Sequence, residues 1–407
     1  MSESWLQKPQ PRLGQGGLLF LLVAAAWIMP LSFDMYTPAI PHMAQNLGTT
    51  KSLINLTMVG YYFFFAIGLL VSGPLSDRIG RKPVILIGLG MNAIGAFLCA
   101  LSTQVWFLIG ARIIQALGAG AADAMTISIV KDAFKEEKRQ NAISFIQLML
   151  IIGPVIAPVL GAFIVSVSTW HVTFISLGAL GIICFIVALF FEETLDKKDR
   201  ISGKGTSIIG QFVDVLKRPG FAWFLIIFTM FDLGFMAYVA VASYVYVSYF
   251  ELSEMAYGLF FGITALFSML GPFAWQFASR WINERKFMSI LMIVAILAGI
   301  AMLVVGHISA ILFCIPMLIF AVMESSSRPL TVNILLSQHD GDTGSTSSVI
   351  NFMYTLVGCL GMVVVHLPFP DFITALASVL IACMFVSVVL WIALLRSNIK
   401  IKGISKE

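Results

Sequence analysis

The sequence predicts an all-α membrane protein with twelve transmembrane helices in two pseudo-symmetric six-helix bundles. Three observations predict it. Hydrophobic residues make up 59% of the chain and charged residues 11%, with a mean hydropathy of +0.95, whereas a soluble domain carries about 25% charged residues. Twelve apolar runs are each long enough, at about 20 residues, to cross a bilayer. The longest polar segment, residues 192–218 (EETLDKKDRISGKGTSIIGQFVDVLKR), falls between the sixth and seventh runs.

The runs lie near residues 16–38, 54–73, 84–103, 105–128, 143–166, 172–191, 219–249, 257–278, 287–306, 310–336, 345–366 and 372–395. They are helices because a single helix satisfies its own backbone in lipid, whereas barrel strands are half as long and alternate in polarity. Glu251 and Glu254 end the long seventh run. The expected organisation is a bundle over 1–191, a linker over 192–218 and a second bundle over 219–407. Phe33-Asp34 recurs as Phe231-Asp232, and Gly73-Pro74 as Gly271-Pro272, each pair 198 residues later. Arg81-Lys82 and Arg285-Lys286 are 204 apart, so the repeat needs an insertion. Two such halves describe a secondary-transporter plan, with the binding site near mid-membrane.

Charge sets the expected orientation. With both termini cytoplasmic, 22 of the 25 basic residues fall on the cytoplasmic side, Lys51 on the other, and Arg112 and Arg328 inside spans. That asymmetry is the positive-inside pattern. The expected location is a bacterial cytoplasmic membrane, multi-pass. The first run is followed by a charge and a second span rather than a polar mature start, so it is expected to stay as a helix and not be cleaved. Cys99, Cys184, Cys314, Cys359 and Cys383 are scattered through the spans and read as buried small hydrophobes, with no metal site or disulfide framework. There is no GxxxxGK[ST] loop, no HExxH and no GxSxG, so neither ATP, an enzyme's catalytic cluster nor any cofactor is expected.

Charged residues inside spans carry the functional signal. In hydrocarbon a lone carboxylate costs about 3 kcal/mol or more, so Asp34, in PLSFDMYTPAIP, must face protein or a wet cavity. Arg112 and Gln115 lie one turn apart in the fourth span. Arg112 is expected to pair with Asp34 or to polarise the groups around it. Asp123, eleven residues on, shares the face of Arg112 but lies about 16 Å away along the axis; it is a proton-coupling candidate or a hydrogen-bonded interface residue. Asp232, at the repeat position of Asp34, is a second protonation site or a structural aspartate. Glu324 and Arg328, four residues apart, are expected to neutralise each other on one helix face. His307 and His366 fall at outer helix ends. Tyr36, Tyr62, Met149, Met236, Tyr238, Asn351 and Tyr354 are candidates for an adaptable apolar pocket, together with Asp34, Arg112 and Gln115.

Several strings carry a family resemblance. GPLSDRIGRKP, residues 73–83, resembles the loop signature of the major facilitator superfamily, which implies the major facilitator fold and a conformational latch formed by Gly73, Asp77, Arg78, Gly80 and Arg81. The fourth span resembles the arginine motif of facilitator antiporters, with Ala116 in place of a glycine. IIGPVIAPVLGAF, with Gly153, Pro154, Pro158 and Gly161, resembles the antiporter motif of drug exporters, with Ala162 in place of the final glycine. PLSFDMYTPAIP, ISFIQLMLIIGPVIAPVLGAFI and STWHVTF resemble the bicyclomycin/chloramphenicol-resistance branch of the drug:proton antiporters; in the second half the likeness narrows to helix count and residues 341–352. The resemblance implies a monomeric, proton-coupled exporter of small drug molecules, bound to the bilayer and not to nucleic acid, with Asp34, Arg112, Asp123 and Asp232 as candidate coupling residues. A dedicated metabolite exporter or a symporter of the same superfamily is the alternative.

Overall fold

The structure is a computed structural model that describes residues 5–200, 217–338, 343–397, 399 and 401–404. Among them, twelve helices are long and apolar enough to cross a membrane: α1 Gly14–Asn46, α2 Lys51–Ile79, α3 Arg81–Ala100, α4 Val105–Ala133, α5 Glu136–Val167, α6 Trp170–Leu189, α7 Pro219–Tyr249, α8 Glu254–Ala278, α9 Glu284–Val305, α10 Ala310–Ser337, α11 Thr346–Val364 and α12 Phe372–Arg396. Each coincides with one expected run. Of the expected linker over 192–218, residues 201–216 lie outside the described residues, as do residues 341 and 342 of the 341–352 stretch.

The largest departure from the sequence reading is in α1. The apolar run fades near Pro38, yet the span continues to Asn46, because the helix breaks and resumes. A regular helix runs Gly14–Asp34, a 3₁₀ turn covers Thr37–Ala39, and a second helix covers Ile40–Asn46. The cause lies in the sequence: Pro38 has no N–H to offer the carbonyl of Asp34 four residues earlier. The Thr37 hydroxyl donates to that carbonyl instead, at 2.7 Å. Elsewhere, caps set the ends. Thr50 Oγ1 accepts the Leu53 N–H (3.2 Å) at the start of α2, Asn283 caps α9 and Asp371 caps α12, each satisfying a donor that the helix leaves open.

The chain divides into two compact units, Met1–Gly205 and Thr206–Glu407. Within the first, α1 packs against α4, α5 and α6, α4 packs against α2 and α3, and α3 packs against α6. Within the second, α7 packs against α10, α11 and α12, α10 against α8 and α9, and α9 against α12. Adding six to each helix number of the first set gives the second. The faint sequence echoes thus correspond to a structural repeat in these helix pairings. One contact shows it at atomic scale: a Cβ on Gly161 of α5 would collide with the carbonyl of Met35, the residue after Asp34, and a Cβ on Gly361 of α11 would collide with the carbonyl of Leu233, the residue after Asp232.

Candidate functional site

The first unit is built around Asp34, which ends the regular part of α1 at the break and is 5% exposed. Among the described residues no ion pair or side-chain hydrogen bond reaches its carboxylate within bonding range. The expected pairing with Arg112 is therefore not formed. Arg112 Nη1 donates instead to the Ser32 carbonyl (2.8 Å) and to Gln115 Oε1 (2.9 Å), while Gln115 Nε2 donates to Ser32 Oγ (3.3 Å). The guanidinium carbon lies 4.1 Å from the Tyr61 ring centroid, 4.4 Å from Tyr36 and 5.6 Å from Phe174. Three aromatic faces thus take the place of a counter-ion, a substitution that is strongest where water is excluded. Among the described residues, Nε and Nη2 of this fully buried side chain make no hydrogen bond.

Of the expected pocket residues, Tyr36, Arg112, Gln115 and Tyr238 have no exposed surface. Tyr36 exchanges a hydrogen bond with Thr57 (3.0 Å) and Tyr238 with Thr264 (3.3 Å). Tyr62, 7% exposed, lies against Phe33 (5.3 Å between centroids), and Tyr354 is 1% exposed. Met149 and Met236 are half-buried, and Asn351 is exposed. Asp123 sits apart from this cluster; the Thr126 hydroxyl donates to its carbonyl oxygen.

Helix α5 fixes α1 from one side. Gly153 faces Pro30 and Gly161 faces Met35, and Trp27 Nε1 donates to the Met149 carbonyl (2.7 Å). The prolines of this segment, Pro154 and Pro158, stand inside a helix continuous from Glu136 to Val167. The antiporter-like glycines therefore lie where the backbone of the Asp34 break presses on α5.

The residues of the expected latch form a network at the α2–α3 turn. Gly80, at φ 108°, makes the turn between the two helices, a backbone region that L side chains resist. Arg81 Nη1 donates to Asp77 Oδ1 (2.6 Å) and Ser76 Oγ (2.5 Å), and its Nε donates to Asp132 Oδ2 (2.8 Å) at the end of α4. Glu193, just after α6, accepts the N–H groups of Arg81 (2.9 Å) and Lys82 (3.2 Å). A carboxylate on the first N–H groups of α3 satisfies open donors at the positive end of the helix dipole. Gly73 is half-buried near the end of α2, and Arg78 stands exposed and joins no ion pair among the described residues; Arg81 carries the network. Asp132 and Glu193 were visible in the sequence but not their convergence, because each closes a contact more than fifty residues distant. The N-terminal segment joins the same end, with Gln7 N–H on the Ala133 carbonyl (2.8 Å) and Gln10 side chain on the backbone of Glu192.

In the second unit, Arg328 of α10 reaches Asp232 of α7 at 4.0 Å and lies 4.9 Å from the Tyr354 ring centroid. The field of Arg328 also reaches Glu324, one turn earlier on the same helix. At the far end of this unit, His307 Nε2 and Asp371 Oδ1 are 3.2 Å apart, so His307 joins a helix cap.

Two bundles of six spans, repeated in pairing, with a buried carboxylate at a break in the first helix of one, define a secondary transporter. The sequence pattern of the Major Facilitator Superfamily matches residues 22–362, and the chain belongs to that superfamily. It is 29% identical, over 84% of its length and 87% of the relative's, to the uncharacterized MFS-type transporter YdgK of Bacillus subtilis. It is 26% identical to the multidrug resistance protein MdtL of Klebsiella pneumoniae, over 91% and 94% of the two chains, and 28% identical to a chloramphenicol resistance protein of Pseudomonas aeruginosa, over 88% and 85%. Among solved structures, a peptide transporter in complex with sulfate superposes with a TM-score of 0.75 at 17% identity, covering 93% of both chains. That likeness concerns the fold.

Proposed function

We propose that this transporter exports small amphipathic drugs, chloramphenicol-like or bicyclomycin-like compounds among them, in exchange for protons by alternating access. The observation that carries the reading is the Asp34 carboxylate, nearly buried at the break of α1 with no counter-ion among the described residues, while Arg112 is engaged by Ser32 and Gln115. A carboxylate held inside a span without a cation is costly, so it is suited to binding and releasing a proton as the site opens to either side. Facing outward it takes a proton; facing inward it releases the proton as the drug binds. Asp34 touches the proton, and Arg112, held by Ser32 and Gln115, positions the α1 backbone two residues before it. The Asp77–Arg81–Asp132–Glu193 network at the α2–α3 turn holds one conformational state and yields in the other. The names of the resistance relatives support the substrate class. Both termini are assigned to the cytoplasmic side of a bacterial inner membrane, on the distribution of basic residues, and the transporter works as a monomer.

The test is drug uptake into proteoliposomes with an imposed proton gradient. Wild type accumulates drug against its gradient when the gradient is present, and Asp34→Asn inserts but loses gradient-driven transport by at least tenfold. Wild-type rates in that variant remove Asp34 from coupling. A dedicated metabolite exporter shares the same fold and the same α5 glycines; it is the reading that survives if gradient-driven transport is intact but no drug is carried.

A further inference from the structure

The segment before α1 is tied by hydrogen bonds to two other elements of the first unit, the end of α4 and the chain just after α6. Pro9 and Pro11 stand on either side of Gln10, and a proline turns the residue before it away from helix, which favours an extended path through Lys8 and Gln10. Leu6 pairs with Phe134 as an isolated antiparallel bridge. The Lys135 N–H donates to the Trp5 carbonyl (2.8 Å) and the Gln7 N–H to the Ala133 carbonyl (2.8 Å). Gln7 Nε2 donates to the Asp132 carbonyl (2.9 Å). Gln10, 3% exposed, donates from Nε2 to the Glu192 carbonyl (3.1 Å) and accepts the Glu192 N–H on Oε1 (2.9 Å). Its own carbonyl accepts the Gly14 N–H at the start of α1 (2.6 Å). Lys8 Nζ lies 3.0 Å from Asp196 Oδ2.

We propose that residues 5–10 form a strap that positions Asp132 and Glu193 around Arg81, with Gln10 as the positioning residue. The proposal rests on the reading of the network at the α2–α3 turn as a latch. Asp132 and Glu193 come to that turn from outside it, one on the end of α4 and the other after α6, and the strap grips the backbone beside both carboxylates. Gln7 holds the carbonyl of Asp132 itself, while the Asp132 side chain accepts Arg81 Nε. Gln10 holds Glu192, and the carboxylate of the next residue, Glu193, accepts the N–H groups of Arg81 and Lys82. A side-chain amide carries a donor and an acceptor side by side, so Gln10 takes both the N–H and the C=O of Glu192, as a paired strand would. Removing that amide leaves both groups short of a partner at one point, directly before Glu193. Seated, the strap keeps the latch formed; lifted, it frees Glu193 and loosens the grip on the start of α3.

The test is hydrogen exchange of the purified full-length protein, read by mass spectrometry on overlapping peptides that span Arg81 and Lys82. These residues open α3, where the helix offers their N–H groups no carbonyl, so their protection reports the Glu193 carboxylate. Gln10→Ala is expected to speed exchange at both amides about fivefold, the scale of one net hydrogen bond, while the interior of α3 keeps its wild-type rates. Glu193→Ala should speed the same two amides, and adding Gln10→Ala to it should change them no further, because the strap acts through Glu193. Gln338 grips the backbone of Lys402 in the second unit by the same two bonds (2.8 and 3.0 Å), and Gln338→Ala should leave the turn at wild-type rates. If Gln10→Ala fails to fold, Gln10→Glu takes its place, since it keeps the size and the acceptor and loses the donor. Unchanged exchange at Arg81 and Lys82, acceleration spread along α3, or a further acceleration with Glu193→Ala already present overturns the proposal. Neither drug nor proton gradient enters the measurement, so a failure of drug:proton exchange leaves the outcome unaffected, and a negative outcome leaves that reading standing.

Discussion

A guanidinium buried with no carboxylate against it needs another source of negative potential, and three aromatic faces supply it around Arg112. Flat stacking is a property of arginine that lysine lacks. Arg112→Lys keeps the charge but loses the stacking and the forked bonds to Ser32 and Gln115. It is expected to lower drug transport at least tenfold, measured in proteoliposomes, while expression stays within twofold; a fully active lysine variant would show that charge alone is needed. Which residues carry charge inside the spans was legible at once, since Asp34, Arg112, Asp232 and Arg328 interrupt apolar runs. Their partners were not. Periodicity places Arg112 on a face of α4 but is silent on Tyr61 and Phe174, aromatic residues among 33 Phe and 9 Tyr that the sequence does not distinguish. Likewise the i, i+4 spacing of Glu324 and Arg328 was legible, but not the approach of Asp232, on another helix, to the same guanidinium at 4.0 Å.

At the scale of elements, contacts that admit no side chain locate the site. Because a methyl on Gly161 would overlap the Met35 carbonyl, Gly161→Ala must push α5 from α1. Overpacking of this kind costs about 1–3 kcal/mol. The variant is expected to unfold at lower temperature in detergent than wild type and to transport more slowly, and Gly361→Ala, which meets Leu233 in the same way, should behave alike. An unfolding temperature equal to wild type would contradict the close approach. At the start of α12, Asp371 caps the helix through the N–H groups of Ile373 (2.8 Å) and Thr374 (2.9 Å). Burial alone would raise its proton affinity, but the Thr374 and His307 contacts outweigh burial and hold it below the ordinary carboxylate value. A depressed value stabilises the fold above the ordinary value of about 3.9 and loses that contribution as pH falls through the folded-state value. Asp371→Ala is therefore expected to cost about 1 kcal/mol near neutral pH, with the difference from wild type shrinking below about pH 4. A difference in thermal unfolding that grows on acidification would refute the sign. The twelve spans were readable from hydropathy, and the end of α1 was not, because Pro38 signals a stop that Thr37 and the following 3₁₀ turn bridge.

For the whole molecule, the two-half organisation showed in the sequence only as three dipeptide echoes, and an insertion blurred even those. Helix pairing preserves the repeat where side chains have diverged, and the matching backbone approaches at Gly161 and Gly361 are part of it. The halves have nonetheless taken different electrostatic solutions: Asp34 is left without a cation, while Asp232 keeps one at 4.0 Å. That difference is what makes Asp34 the candidate coupling group in a transporter of this superfamily. Proton release from detergent-purified protein on adding chloramphenicol-like and cationic drugs, wild type against Asp34→Asn, addresses it most directly. The account predicts release from wild type and its loss in Asp34→Asn, with Asp232→Asn retaining it. Equal release from wild type and Asp34→Asn, or none from wild type with any drug, would contradict drug:proton exchange through α1.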